Sequence, residues 1–162
     1  VALIQYRRGD ATAPAERPAA ILHVVNDKGL WGAGFSGALD RAYNGAPGRF
    51  YRQWSRGELS SLSGYPLFGL DAVLWQRLGD QLALGHLCAQ RGVGRRCRRV
   101  DYNALRLCLG DIGAPPTNLS FHLPRIGTGY GGGRWEEVEA ILNDTIAKAA
   151  PTYVYDLPGA PP

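Results

Sequence analysis

Two glycine-rich loops constrain this chain more than any other feature. Residues 26–35 read NDKGLWGAGF and residues 124–133 read PRIGTGYGGG, and each lies between an apolar run and a helical pattern. Glycine removes the side chain that would stand between a backbone N–H and an approaching anion. A helix starting just behind the loop adds the positive end of its dipole. A single loop of this kind is as readily a tight turn. Two of them, at the carboxyl ends of strands in one small domain, point to a crevice that holds a diphosphate from both sides. Glycine is enriched accordingly, 22 of 162 residues, against a usual share of about 7%.

The runs around the loops set the fold class. Residues 2–6 (ALIQY), 20–25 (AILHVV), 119–123 (LSFHL) and 152–157 (TYVYDL) read as strands. Residues 69–77 and 81–88 read as a strand pair turning at Gly79-Asp80. Helical patterns occupy 34–43, 47–56, 101–112 and 134–149. In the last, Trp135, Val138, Ile141, Leu142 and Ile146 share one face. Strands alternating with helices, with no repeat and no linker, predict one α/β domain over 1–157, a mixed sheet between helical layers. The Pro-rich residues 158–162 are too short to fold. A chain of 162 residues is long enough for one proper core. No apolar run approaches the roughly 18 residues of a membrane helix, so no membrane partner is expected.

The formal charge is +4, and five arginines (Arg91, Arg95, Arg96, Arg98, Arg99) carry the excess. They read either as a solvated basic loop, the preferred reading, or as a surface meeting the phosphates of a larger substrate. Cys88, Cys97 and Cys108 are odd in number and form no CxxC pair, which argues against a disulfide framework or a structural zinc site. The chain begins at Val1 without a secretory leader. The reducing cytoplasm is therefore the expected compartment, and the sequons at Asn118 and Asn143 read as chance. The lack of an initiator Met is expected of a trimmed or excised domain. His23 and His122 lie in the strands leading into the loops and read as core residues. No metal-ligand spacing, Ser-His-Asp or Cys-His arrangement, or Walker signature is present, and neither metal nor cofactor is expected. Gly127, Gly129 and Gly132 nominally satisfy GxGxxG, with Asp156 following, but only one strand remains after them, which argues against a dinucleotide fold. Asp10, at the end of the first strand, closes an Asx turn or accepts from an exocyclic amine such as adenine N6; spacing alone favours the turn.

The segments GDAT (9–12), HVVNDKGLWGAGF (23–35), FHLPRIGTGYGGGRWEEVE (121–139) and YVYD (153–156) occur in this order along nearly the whole chain. Together they resemble a macro domain, in the branch that includes the terminal ADP-ribose protein glycohydrolase and its bacterial relatives. The resemblance implies a three-layer α/β/α sandwich with a mixed central sheet and ADP-ribose as ligand; a monomer is expected because nothing in the sequence demands more. It implies Asp10 and Ala11 at the adenine, with Tyr155 nearby, and Asn26 at the distal ribose. Trp31, Gly32, Ala33, Gly34 and Phe35 would form the first diphosphate loop. Ile126, Gly127, Thr128, Gly129, Tyr130 and Gly131 would form the second.

Two departures bear on the chemistry. Where the resembling glycohydrolase has a nucleophilic lysine this chain has Gln90, and where it has an acidic residue in the second loop this chain has Gly131. A carboxamide cannot form the covalent adduct an amine forms. Hydrolysis would need water, oriented by Asn26, Gln90 or the ligand's own diphosphate, with Asp27 as base if it faces the cleft and loop amides stabilising negative charge. The expected function is a hydrolase removing ADP-ribose from modified macromolecules, ester-linked at acidic side chains of proteins rather than on nucleic acid. The alternatives are a non-catalytic ADP-ribose reader and a phosphatase acting on ADP-ribose 1″-phosphate.

Overall fold

A computed structural model describes residues 4–94 and 97–157. Six strands, β1 (Ile4–Arg8), β2 (Ala19–Asn26), β3 (Val73–Gly79), β4 (Leu82–Gln90), β5 (Ser120–Pro124) and β6 (Thr152–Asp156), form one sheet in the order β1-β6-β5-β2-β4-β3. Every neighbouring pair is parallel except the edge strand β3, which runs antiparallel to β4. The helices are α1 (Phe35–Ala42), α2 (Ala46–Ser55), α3 (Tyr102–Asp111) and α4 (Trp135–Asp144). Among the described residues no helix is long and apolar enough to cross a membrane.

The central strand β2 shows why the sheet is covered on both faces. All its residues but Val24 are buried, and they alternate as a strand's period of two requires. Ala20 and Leu22 pack with Leu105 and Leu109 of α3 and Val138 and Ile141 of α4. Ala19 and Ile21 pack with Leu39 of α1, and Val25 with Tyr51 and Trp54 of α2. Each fully buried large apolar side chain contributes roughly 1.5–3 kcal/mol, and the result is the expected three-layer α/β/α sandwich.

The boundaries differ from expectation where tertiary contacts decide them. β1 runs on to Arg8, and residues 2 and 3 of the expected strand lie outside the described residues, as do 158–162 of the tail. Residues 69–72 are not strand: β3 begins at Val73, after Asp71 takes a φ of 77° and donates its N–H to the Cys88 carbonyl. The hairpin turns through Asp80 and Gln81, the latter at a φ of 52°. The expected helix 134–149 ends at Asp144, because Thr145 leaves helical geometry (φ −122°, ψ −105°). Its Oγ1 donates to the Ile141 carbonyl at 2.6 Å, a local bond that competes with the helix ladder. A 3-10 turn over Ile146–Lys148 still buries Ile146 in the same core.

Three residues fasten the first glycine loop to the helices behind it. Trp31 Nε1 donates to Asp40 Oδ2 at 2.9 Å, and the Gly48 N–H donates to Asp40 Oδ1 at 2.9 Å. A Cβ at position 48 would lie 2.6 Å from Asp40 Oδ2 and 2.7 Å from Trp31 Nε1. Gly48→Ala is therefore expected to destabilise the protein by about 1–3 kcal/mol, although alanine in a helix ordinarily gains roughly 1 kcal/mol over glycine. Urea unfolding checks this, and an unchanged or higher midpoint would refute the contact.

Candidate functional site

One cleft runs across the carboxyl ends of the parallel strands. At one end it is walled by Gly9, Asp10, Ala11, Thr12, Ala38, Arg41 and Tyr155. Its middle lies between Ala33, Gly34 and Phe35 on one side and Pro124, Arg125, Ile126, Gly127 and Gly129 on the other. At the far end stand Asn26, Leu30, Trp31, Gly32, Val93 and Gly94. Gly34, Phe35 and Pro124 join the first part to the middle, and Ala33, Ser36, Gln90 and Tyr130 join the middle to the far end.

Both glycine loops present backbone donors to this cleft. Among the described residues, the N–H groups of Ala33, Gly34 and Phe35 have no acceptor, and neither do those of Gly127, Thr128 and Gly129. The first set opens the helix α1, whose Gly34 start carries no side-chain cap. A Cβ at Gly129 would meet nothing within 4 Å, so that position faces open space. Gly131 differs: a Cβ there would lie 2.7 Å from the Gly127 carbonyl oxygen. Its own carbonyl accepts from Arg99 N at 2.7 Å and Val100 N at 2.9 Å. This loop conformation admits no side chain at position 131, so no acidic residue could serve there.

The adenine-side residues divide their polar atoms between structure and cleft. Asp10 Oδ1 accepts from Thr12 N at 2.9 Å and Thr12 Oγ1 at 2.7 Å, an Asx turn. The other carboxylate oxygen has no partner among the described residues and is available to a ligand amine. The two sequence readings of Asp10 are thus compatible. Tyr155 offers its ring to the cleft, whereas its hydroxyl is held inside by His122 Nδ1 at 2.7 Å and by Arg7 at 3.2 Å.

The three expected catalytic side chains fare differently. Asn26 Oδ1 accepts from Lys28 N at 3.0 Å, Leu30 N at 3.1 Å and the Tyr51 hydroxyl at 3.1 Å. Its Nδ2 donates to the Leu30 carbonyl at 2.6 Å. Its acceptor capacity is spent on the loop, and one Nδ2 proton remains for a ligand. Asp27, expected as base if it faces the cleft, is not among the residues walling it, and its Oδ1 accepts from Gly92 N at 2.7 Å. Gln90 does stand on the cleft wall, with Nε2 donating to the Gly92 carbonyl at 3.1 Å. Its Oε1 has no partner among the described residues. Thr128 also turns away from the cleft, donating to the Arg125 carbonyl at 2.8 Å.

Sequence reasoning missed several residues. Asp40 and Ser36 brace the first loop, Ser36 Oγ donating to the Ala33 carbonyl at 2.7 Å. His86 pairs with His23 across β2 and β4, Nδ1 to Nε2 at 2.8 Å, because the parallel register sets the two residues side by side. Arg125, in the cleft wall, grips Asp156 with two bonds of 2.7 and 3.0 Å and holds that carboxyl below the usual range. Asp156 is thus unavailable to a ribose, a further argument against the dinucleotide reading. The basic stretch is also more than a solvated loop. Arg91 pairs with Asp101 at 2.7 Å, Arg98 lies over the Tyr102 ring at 4.3 Å, and the backbone at Arg99 anchors Gly131. Arg95 and Arg96 lie outside the described residues. Among the described residues no group of three or more His, Cys, Asp or Glu side chains could hold a metal ion.

No family model matches the chain. A macrodomain protein from Streptomyces coelicolor is 36% identical in sequence, with a TM-score of 0.78 over 94% of this chain and 98% of that one. A macrodomain variant from Oceanobacillus iheyensis, solved with ADPR, gives a TM-score of 0.62 over 95% of this chain and 84% of that one; at 18% identity the likeness is one of fold alone. Chromodomain-helicase-DNA-binding protein 1-like of Mus musculus is 30% identical over 160 residues, 96% of this chain, but the chain spans only 18% of that relative's length.

The three histidines share one property that solution measurements can reach. Burial pushes His23 down to about 3 and His122 to about 4, and His86 well below its ordinary value. In the unfolded chain each takes a proton near pH 6.5. A folded value below the unfolded one means that the stability is fully present above about pH 6.5 and is lost as pH falls towards the folded value. Each histidine then removes up to about 1.4 kcal/mol per pH unit. The urea midpoint is expected to be level from pH 8 to 7 and to fall steeply between pH 6 and 5; a flat profile through that interval would contradict neutral, buried rings.

Proposed function

The chain belongs to the macrodomain family, and from that premise we propose that its cleft binds ADP-ribose and that the protein, acting as a cytoplasmic monomer, hydrolyses ADP-ribose esters of acidic protein side chains. The observation that carries this reading is the two facing sets of unpartnered amides, one from each glycine loop, in the middle of a single continuous cleft. A diphosphate lying between them would accept from both. The adenine would then meet the Tyr155 ring and the free oxygen of Asp10, and the distal ribose would lie by Asn26, Trp31 and Gln90. One chain supplies every wall, so no second copy is needed. The free thiols Cys88, Cys97 and Cys108 suit a reducing compartment.

The ester reading is supported by the scarcity of proton donors in the cleft. Asp27 is tied to Gly92, position 131 admits no side chain, and Gln90 is neither acid nor base. A leaving group that departs as a carboxylate, with a conjugate-acid pKa of about 4, needs no proton donor, whereas an amine or alkoxide would. Gln90 Oε1 accepts from the attacking water and directs its oxygen to the anomeric carbon. The new carbon–oxygen bond forms as the ester carbon–oxygen bond breaks. The electron pair leaves on the carboxylate, the water proton passes to solvent, and the products are ADP-ribose and the restored side chain. Arg91 and Arg98, on the loop beyond the ribose end, suit a protein whose modified residue lies among other acidic ones. A second reading, recognition without turnover, is favoured by the commitment of Asn26 Oδ1 and Asp27 Oδ1 to loop bonds.

Release of free ADP-ribose from a glutamate-modified protein separates the two readings: the hydrolase is expected to release it, and binding without release would leave the reader. Gly129→Glu, which fills the phosphate path with a charged side chain, is expected to abolish ADP-ribose binding in calorimetry, and unchanged affinity would remove the diphosphate assignment. Asp10→Ala is expected to weaken binding by about 1–3 kcal/mol through an unpaired adenine amine; no change would make Asp10 a turn residue only.

A further inference from the structure

Beneath the cleft runs a hydrogen-bonded chain of side chains that the hydrolysis does not use. His86 Nε2 meets Gln76 Oε1 at 2.9 Å on the edge strand β3, and His86 Nδ1 meets His23 Nε2 at 2.8 Å. Burial keeps both rings neutral, and a neutral imidazole has one donor nitrogen and one acceptor nitrogen. With the Gln76 oxygen turned to His86, the outer end sets the direction of the chain. The Gln76 carbonyl oxygen can only accept, so His86 carries its proton on Nε2. His86 Nδ1 then accepts, so His23 carries its proton on Nε2. His23 Nδ1 is left as a lone pair.

That nitrogen has no partner among the described residues, nor is it one of the sealed, unbonded polar atoms. His23 forms part of the cleft wall between the glycine loops, its ring enclosed by Trp31 at 5.4 Å, Phe35 at 6.1 Å and His86 at 4.8 Å between centroids. Around it the amides of Ala33, Gly34 and Phe35, and those of Gly127 and Gly129, are donors, and the Gln90 Oε1 is a second acceptor. A phosphate oxygen suits the amides and is repelled by an imidazole lone pair. A hydroxyl is attracted by it.

We propose that the Gln76–His86–His23 chain sets His23 Nδ1 as the acceptor for a sugar hydroxyl attached to the diphosphate, and that it thereby selects a diphosphate sugar over a ligand with only phosphates at that place. His23 is then a specificity-determining residue and His86 and Gln76 are positioning residues acting through it. The proposal rests on the ADP-ribose reading above, and goes beyond it by naming the atom that distinguishes ADP-ribose from ADP. The lever sits on the sheet edge, where Gln76 is only half-buried and touches no ligand. Gln76→Lys replaces the terminal acceptor with a donor. It forces each ring to the other tautomer and turns His23 Nδ1 into a donor.

Long-range proton–nitrogen correlation spectra of 15N-histidine-labelled protein read the tautomers directly. In the unliganded protein, His23 is expected to show a protonated Nε2 and an unprotonated Nδ1. ADP-ribose is expected to move the Nδ1 resonance in the direction of an accepted hydrogen bond, and ADP to leave it in place. In Gln76→Lys the tautomer is expected to invert and the ratio of ADP-ribose to ADP affinity to fall about fivefold to tenfold, the worth of roughly one hydrogen bond. A protonated Nδ1 in the unliganded wild-type protein overturns the proposal, whatever the variant does. So does an Nδ1 resonance that ignores ADP-ribose while calorimetry shows it bound. If calorimetry shows no ADP-ribose binding at all, the functional reading has failed and the ligand assignment falls with it; the tautomer in the unliganded protein is a separate result.

Discussion

The loop amides that face the cleft stay without acceptors only because the polar groups around them are bonded elsewhere. A backbone N–H that lacks a partner and is shut away from water costs about 1–3 kcal/mol, so an open set of donors is stable only where water or an anion can reach it. The fold meets that condition by construction. The Gly131 carbonyl, which could have folded back onto its own loop, is engaged by Arg99 and Val100. The Gly127 carbonyl is engaged by Gly133, and the Ala33 carbonyl by Ser36. With these carbonyls occupied, the amides of both loops are left to the cleft.

The same logic explains why so many polar side chains near the cleft are bonded to the loops. Asn26, Asp27, Asp40 and Thr128 all carry groups that could act on a ligand, and each commits at least one of them to loop geometry. A binding surface made of backbone needs such scaffolding, because a glycine-rich loop has little side-chain packing of its own to hold it. It also limits the chemistry. With much of its side-chain hydrogen bonding given to support, the cleft can position and polarise, which fits the proposed reaction with its unaided leaving group.

What was legible in the sequence was local. The glycine loops, the apolar run 20–25 and the strand–helix alternation are patterns within a few residues, and the structure keeps them. The end of α4 at Thr145 was not legible, since the apolar face continues through Ile146 and only a side-chain bond to Ile141 interrupts the helix. Nor was the His23–His86 pair, whose 63-residue separation is closed only by the register of two parallel strands. Asp27 had the right residue type beside the right loop, and sequence could not show that the amide of Gly92 would claim it. The arginine stretch announced its charge and hid its structural part, because the bond from Arg99 to Gly131 is made by backbone and has no residue signature.

Three of the arginines in and around the cleft are held in ion pairs. Arg125, in its wall, is paired with Asp156, Arg7, behind Tyr155, is paired with Glu16, and Arg91, on the loop beyond the far end, is paired with Asp101. In the middle of the cleft, where the one arginine is paired, an anion is met by oriented dipoles, and Arg41 at the Asp10 end is in no ion pair among the described residues. Dipoles at contact distance act over a short range and discriminate by position, whereas free cations attract any polyanion and are screened by salt. A cleft of this kind gains little from a further phosphate and much from a correctly placed hydroxyl. The neutral acceptor proposed at His23 fits that economy: it adds no charge, and it would repel an additional anionic oxygen beside the loop donors.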